Sequence, residues 1–185
     1  MQTQSDTTEQ TRDGAALKIC LLTYRGNPTC GGQGVYVRHL SRALRELGHE
    51  VDVISGPPYP EVTEGVRVHK LPGLDLYNPE HLFAVENIRD LASPLNLYEY
   101  LCMCSGGFPE PLTFGVRAGR YLRQDGHTYD IVHDNQCLSY GLLAPVFSRR
   151  PLVATIHHPI TVDRETDLAS ASGILRRLMV HRWYS

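Results

Sequence analysis

Lys18 to Ser55 reads "KICLLTYRGNPTCGGQGVYVRHLSRALRELGHEVDVIS": two apolar runs flank a glycine cluster and one long amphipathic segment. Lys18 to Thr23 is apolar without alternating, the pattern of a strand buried on both faces. From Tyr36 the apolar positions Tyr36, Leu40, Ala43, Leu44 and Leu47 recur at helical spacing. Arg38, Ser41, Arg42, Arg45 and Glu46 fall on the opposite face. Gly48 tolerates the left-handed conformation that closes many helices. Glu50 to Ser55 is then a second strand. Strand, helix and strand in one short span make a βαβ unit, which requires parallel pairing and a right-handed crossover.

The same reading extends outward. Further strands are expected at Val66–Lys70, Tyr129–His133 and Leu152–His157. Helices are expected near Glu80–Leu91, Leu95–Met103, Pro111–Gln124 and Ser139–Phe147, and in the closing "SGILRRLMVHRWYS". Leu71 to His127 is rich in Pro, Gly and Tyr and is the least regular part. Met1 to Gly14 is polar and without periodicity, and reads as a flexible leader. The expected fold is α/β: a single Rossmann-like domain over residues 15–185, with a parallel sheet of about five strands and helices on both faces. In such sheets ligands settle outside the carboxyl ends of the strands, where strand order reverses. An order of 3-2-1-4-5 would bring together Gly31–Gly34, "HDNQ" (His133–Gln136) and "HHP" (His157–Pro159), the densest polar clusters at strand ends.

Composition narrows the function. The chain has 185 residues, 42% hydrophobic and 21% charged, with a formal net charge of -2, which gives no electrostatic footprint for nucleic acid. No apolar run is long enough to span a bilayer, and no basic-then-apolar signal peptide opens the chain. The helices show no strongly basic amphipathic face, although peripheral docking at an inner membrane face stays open. The five cysteines lack zinc or redox spacing, which fits reduced thiols in a cytoplasmic protein.

A helix beginning beside Gly31, Gly32 and Gly34 points free amides and a positive dipole end at whatever lies beyond, and glycines let a phosphate approach. A tight turn with nothing bound is the plainer alternative. A Walker loop requires Lys and Ser/Thr after its last glycine, and Val35 follows Gly34 here. A dinucleotide fingerprint requires a small residue at Val37 and an acid at the end of the second strand, which ends in Ser55 and Gly56.

"GGQGVYVRHLSRALRELGHEVDVIS" closely resembles the first βαβ unit of family-four retaining glycosyltransferases, enzymes of two-domain GT-B architecture. "VHDNQ" and "LVATIHHPITVDRETDL" continue the resemblance over most of Lys18 to Ser185, Leu71 to His127 excepted. Starch-synthase relatives carry a lysine two residues before the glycine pair. Thr29 stands there in this chain, which argues against an α-glucan polymerase.

The resemblance implies one half of a GT-B fold, the acceptor-side N-terminal domain. Its C-terminal donor domain would lie outside this chain, and the isolated domain would be inactive. The substrates would be a nucleotide-diphosphate sugar and an acceptor, whether sugar, lipid or small molecule, with no metal or other cofactor. Gly31 and Gly32, with Gln33 nearby, would meet the donor diphosphate. His157 would contact the donor sugar near the reacting carbon, and His158 would face away. His133 and Asp134 would flank the same crevice, Asp134 orienting His133 or binding acceptor hydroxyls. Thr161, Asp163 and Arg164 would shape the acceptor pocket. Two rivals remain at this level: a metal-dependent hydrolase using His133, Asp134, His157 and His158, and a non-enzymatic sugar- or nucleotide-binding module.

Overall fold

The computed structural model describes residues 15–28, 32–78, 80–124, 128–143 and 150–184. The expected leader and Gly31 lie outside these residues. Five parallel strands form one sheet: β1 (Lys18–Thr23), β2 (Glu50–Ser55), β3 (Arg67–Lys70), β4 (Ile131–Asn135) and β5 (Leu152–Thr155). Their order is β3-β2-β1-β4-β5, so the sheet reverses direction of growth beside β1. Helix α1 (Gly32–Glu46) crosses from β1 to β2. Helices α2 (Pro94–Cys104) and α3 (Glu110–Gln124) lie between β3 and β4, and α4 (Ile160–Ser170) and α5 (Ile174–Trp183) follow β5.

The apolar run of β1 divides by parity. Ile19 and Leu21 join Val51, Val53 and Val37 in a core under α1, with Leu40 and Leu44 against it. Cys20 and Leu22 join Ile54, Val132, Phe114, Ala118 and Leu122 in a second core under α3. Both faces of the central strands are therefore buried, as the non-alternating pattern requires.

Boundaries differ from expectation in places that matter. β4 begins two residues later than expected and runs on to Asn135, so His133 and Asp134 lie within the strand. Glu80–Leu91 is not a helix. Asn78 Oδ1 accepts from the Glu80 amide and Asn87 Oδ1 from the Arg89 amide, and a 3-10 turn forms only at Ile88–Ala92. Such side-chain acceptors offer the backbone an alternative to helical bonding. Of the helix expected at Ser139–Phe147, Tyr140–Leu143 is a 3-10 turn and residues 144–147 lie outside the described residues. α4 was not expected at all.

Asp52 carries the principal polar anchor of the α3 face. It is 1% exposed, and accepts from Arg67 Nε at 2.8 Å and Tyr129 OH at 2.9 Å; His69 Nε2 lies 3.2 Å away. Tyr121 OH of α3 meets the other nitrogen of that ring at 2.7 Å. Burial alone would raise the Asp52 carboxyl, but the hydrogen bonds from Arg67, Tyr129 and His69 outweigh it and hold the group below its ordinary value. The stabilisation is thus present above the unfolded-state value of about 3.9 and is lost as pH falls through the lower folded-state value. Asp52→Ala is expected to cost ~2 kcal/mol at pH 7, because it removes the charged acceptor of Arg67 and of the buried Tyr129 hydroxyl. Denaturant midpoints should show that the gap from the wild type narrows below about pH 4.

Candidate active site

The carboxyl edge of β1, β4 and β5 meets the amino end of α1. In register, Leu21 stands between Val53 and His133, and His133 in turn beside Val153. His133 therefore shares the α1 face of the sheet with Leu21. Two residues further, Asn135 shares that face and pairs in register with Thr155. A connected polar group results. His133 Nε2 lies 2.7 Å from Thr155 Oγ1, and Tyr36 OH from α1 lies 3.2 Å from the same hydroxyl. The Tyr36 ring stands edge-on to the His157 ring, with centroids 4.7 Å apart. His157 Nε2 lies 2.6 Å from Asn135 Oδ1, and Asn135 Nδ2 donates to the Gln33 carbonyl at 3.3 Å. Gln33 Nε2 in turn donates to Tyr24 OH at 3.2 Å.

Gln136 secures the backbone of the same corner. Its Oε1 accepts from the His157 amide at 2.7 Å, and its Nε2 donates to the His158 carbonyl at 3.4 Å. It does so from a left-handed conformation, φ 54°, and Leu138 is also left-handed at φ 45°. Non-glycine residues held this way are strained, and such strain collects at functional corners.

Both histidines titrate low. Burial lowers the His133 value, with His157 adding to the effect; burial lowers that of His157, with His158 adding. Each ring is therefore neutral at pH 7 and can both donate and accept a hydrogen bond.

The glycines at the head of α1 serve two purposes. A Cβ on Gly34 would lie 2.1 Å from the Asn27 carbonyl oxygen and 2.6 Å from that of Gly26, so this glycine lets the β1–α1 loop press against the helix. Among the described residues, a Cβ on Gly32 would meet nothing within 4 Å. Gly32 thus adds no side chain to the end of α1 where free amides and the dipole favour an anion.

Asp134 requires correction. Alternation along β4 turns it to the α3 face, opposite His133, so it does not orient that ring. It is fully buried, and its two oxygens accept from the amides of Cys137 at 3.1 Å and Leu138 at 2.9 Å. Burial raises its carboxyl although those amides pull the other way. Its work is to hold the strained turn after β4. His158 is exposed. Thr161, Asp163 and Arg164 lie on exposed positions of α4, where Arg164 Nη2 lies 3.2 Å from His181 Nδ1 of α5.

Asn135 and Gln136 are expected at the site only as part of "HDNQ", with no role of their own, and Thr155 and Tyr36 are not expected there. The period-two pattern that links His133, Asn135 and Thr155 would have singled out the last two, once β4 was extended to its true end. Among the described residues no three His, Cys, Asp or Glu side chains group as a metal site, and Asp134 is already committed to the turn. Nor, among those residues, is any helix long and apolar enough to cross a membrane.

A profile of the glycosyl transferase 4-like domain matches residues 31–185. The chain belongs to that glycosyltransferase family. As a member of it, the glycosyl transferase 4-like domain described here is one α/β half of a GT-B enzyme fold. It is 50% identical over 169 residues to the MMP alpha-(1->4)-mannosyltransferase of Mycolicibacterium hassiacum, covering 91% of this chain and 41% of that protein. It is 32% identical over 156 residues to the D-inositol 3-phosphate glycosyltransferase of Xylanimonas cellulosilytica, covering 80% of this chain and 31% of that protein. The chain therefore spans well under half the length of these two relatives.

Proposed function

We propose that this domain forms the acceptor side of a retaining glycosyltransferase that moves a sugar, mannose in the first instance, from a nucleotide diphosphate to a sugar acceptor. The observation that carries the reading is the joining of the α1 amino end to His157 through Gln33 and Asn135, within one hydrogen-bonded corner. Sugar transfer builds positive character at the anomeric carbon and negative charge on the departing diphosphate. Preorganised donors aimed at that charge are the strongest lever a protein has. The Gly32 end of α1 supplies such donors without a metal, and His157 faces the sugar. The relative named for α-(1→4)-mannosyl transfer supports mannose and an α product.

The chain spans 41% of that relative, so the activity is proposed for the full-length protein, with nucleotide recognition supplied by a second domain. Full-length protein incubated with nucleotide-diphosphate mannose and mannoside acceptors should yield an α-linked product by anomeric NMR. Residues 1–185 alone should yield none. A β-linked product would overturn retention. Turnover by residues 1–185 alone would overturn the division of labour.

A further inference from the structure

We infer that Asn135 is a positioning residue, which fixes the proton of His157 on Nε2 and sets that ring at a defined distance from the donor-binding end of α1. The inference deepens the transferase reading and rests on it for its catalytic consequence, while the protonation state it assigns stands on geometry alone.

The Gln33 carbonyl can only accept a hydrogen bond, so the Asn135 side-chain NH2 must face it. That choice turns Oδ1 toward His157, 2.6 Å from Nε2. An amide oxygen cannot donate, so Nε2 must carry the proton. Nδ1 is left as the accepting nitrogen of a neutral ring, suited to receive a sugar hydroxyl rather than to protonate a leaving group. Asn135 is 2% exposed, so water competes poorly for either end of its amide. The Tyr36 ring confines the imidazole from the α1 side, and Gln136 holds the His157 backbone amide. Side chain and main chain of His157 are thus held by consecutive residues of one strand end. Among the described residues, the titratable groups facing the ring are Tyr36 from α1, His133 from β4 and its own neighbour His158.

The test is NMR of histidine-labelled full-length protein, with the His157 signals assigned by difference against His157→Gln, together with steady-state kinetics. The wild type should show a protected low-field proton coupled to Nε2 of His157. Asn135→Leu should abolish that signal and lower kcat about tenfold, with a smaller change in donor KM. Asn135→Asp should keep the proton but raise the titration midpoint of His157 by about one pH unit, since a facing carboxylate favours the imidazolium. The acid limb of the kcat profile should move with it. A proton on Nδ1, or an Nε2 signal that survives Asn135→Leu, overturns the inference and leaves the transferase reading untouched. Absence of sugar transfer in the wild type, with the Nε2 proton present, would instead overturn the function proposed for the site. A merely structural Asn135 would lower folded yield in both variants without moving the His157 midpoint, which also counts against the inference.

Discussion

His157→Ala is expected to lower kcat for sugar transfer about a hundredfold in the full-length protein while leaving the fold in place. The size follows from the cost of losing one preorganised polar contact in a site where the substrate must be held in a reactive geometry. The survival of the fold follows from the position of the residue. His157 lies beyond the last residue of β5 and is only partly buried, and its backbone amide remains bonded to Gln136 in the variant. What is lost is the Asn135 contact and the edge of the Tyr36 ring, together ~1 kcal/mol of stability. The informative measurement pairs kcat with the denaturation midpoint. A hundredfold loss of rate with a shift of only a few degrees assigns the residue to the reaction. Full activity in a folded His157→Ala variant would remove it from the site.

The legible part of the sequence was the part where one physical signal dominates. Lys18–Thr23 and Glu50–Ser55 match the observed strands because an unbroken apolar run between turn residues has few other readings. The observed order β3-β2-β1-β4-β5 is the one under which the polar strand ends converge, although the sequence offers it only as the usual arrangement of such sheets. The site was harder to read because it depends on the parity of one short strand. Ending β4 at His133 places Asp134 beyond the sheet, free to join its neighbour. Extending the strand to Asn135 sends Asp134 to the α3 face and makes Asn135 the partner of His157. Two residues of boundary thus exchanged one carboxylate for one amide. Glu80–Leu91 failed for another reason: local side-chain acceptors on Asn78 and Asn87 won over helical propensity. α4 escaped notice because no residue of Ile160–Ser170 is buried, so the segment has no core-facing stripe to betray a helix.

The glycines of α1 should separate stability from binding. Gly34→Val is expected to unfold the domain or cost ~3 kcal/mol or more, since its Cβ would sit 2.1 Å from a backbone oxygen of Asn27. No flexible side chain can give way there: either the 26–27 loop or the first turn of α1 must move, and both are anchored. Gly26 donates its amide to the Pro58 carbonyl at 2.7 Å, and Val37 of the helix is fully buried under the sheet. Overpacking against fixed backbone is among the most damaging single changes a core can suffer. Gly32→Ala should do the reverse. Its Cβ meets no described residue, and alanine in place of glycine favours a helix by up to ~1 kcal/mol. Thermal midpoints should therefore stay level or rise. Yet the new methyl group would stand where the diphosphate must approach the first amides of the helix, so the KM for the nucleotide sugar should rise about tenfold or more. The two variants differ by two positions in one helix turn and are expected to fail opposite assays. If Gly32→Ala bound the nucleotide sugar as tightly as the wild type, the amino end of α1 would not be where the leaving group sits, and the anion would have to be held elsewhere.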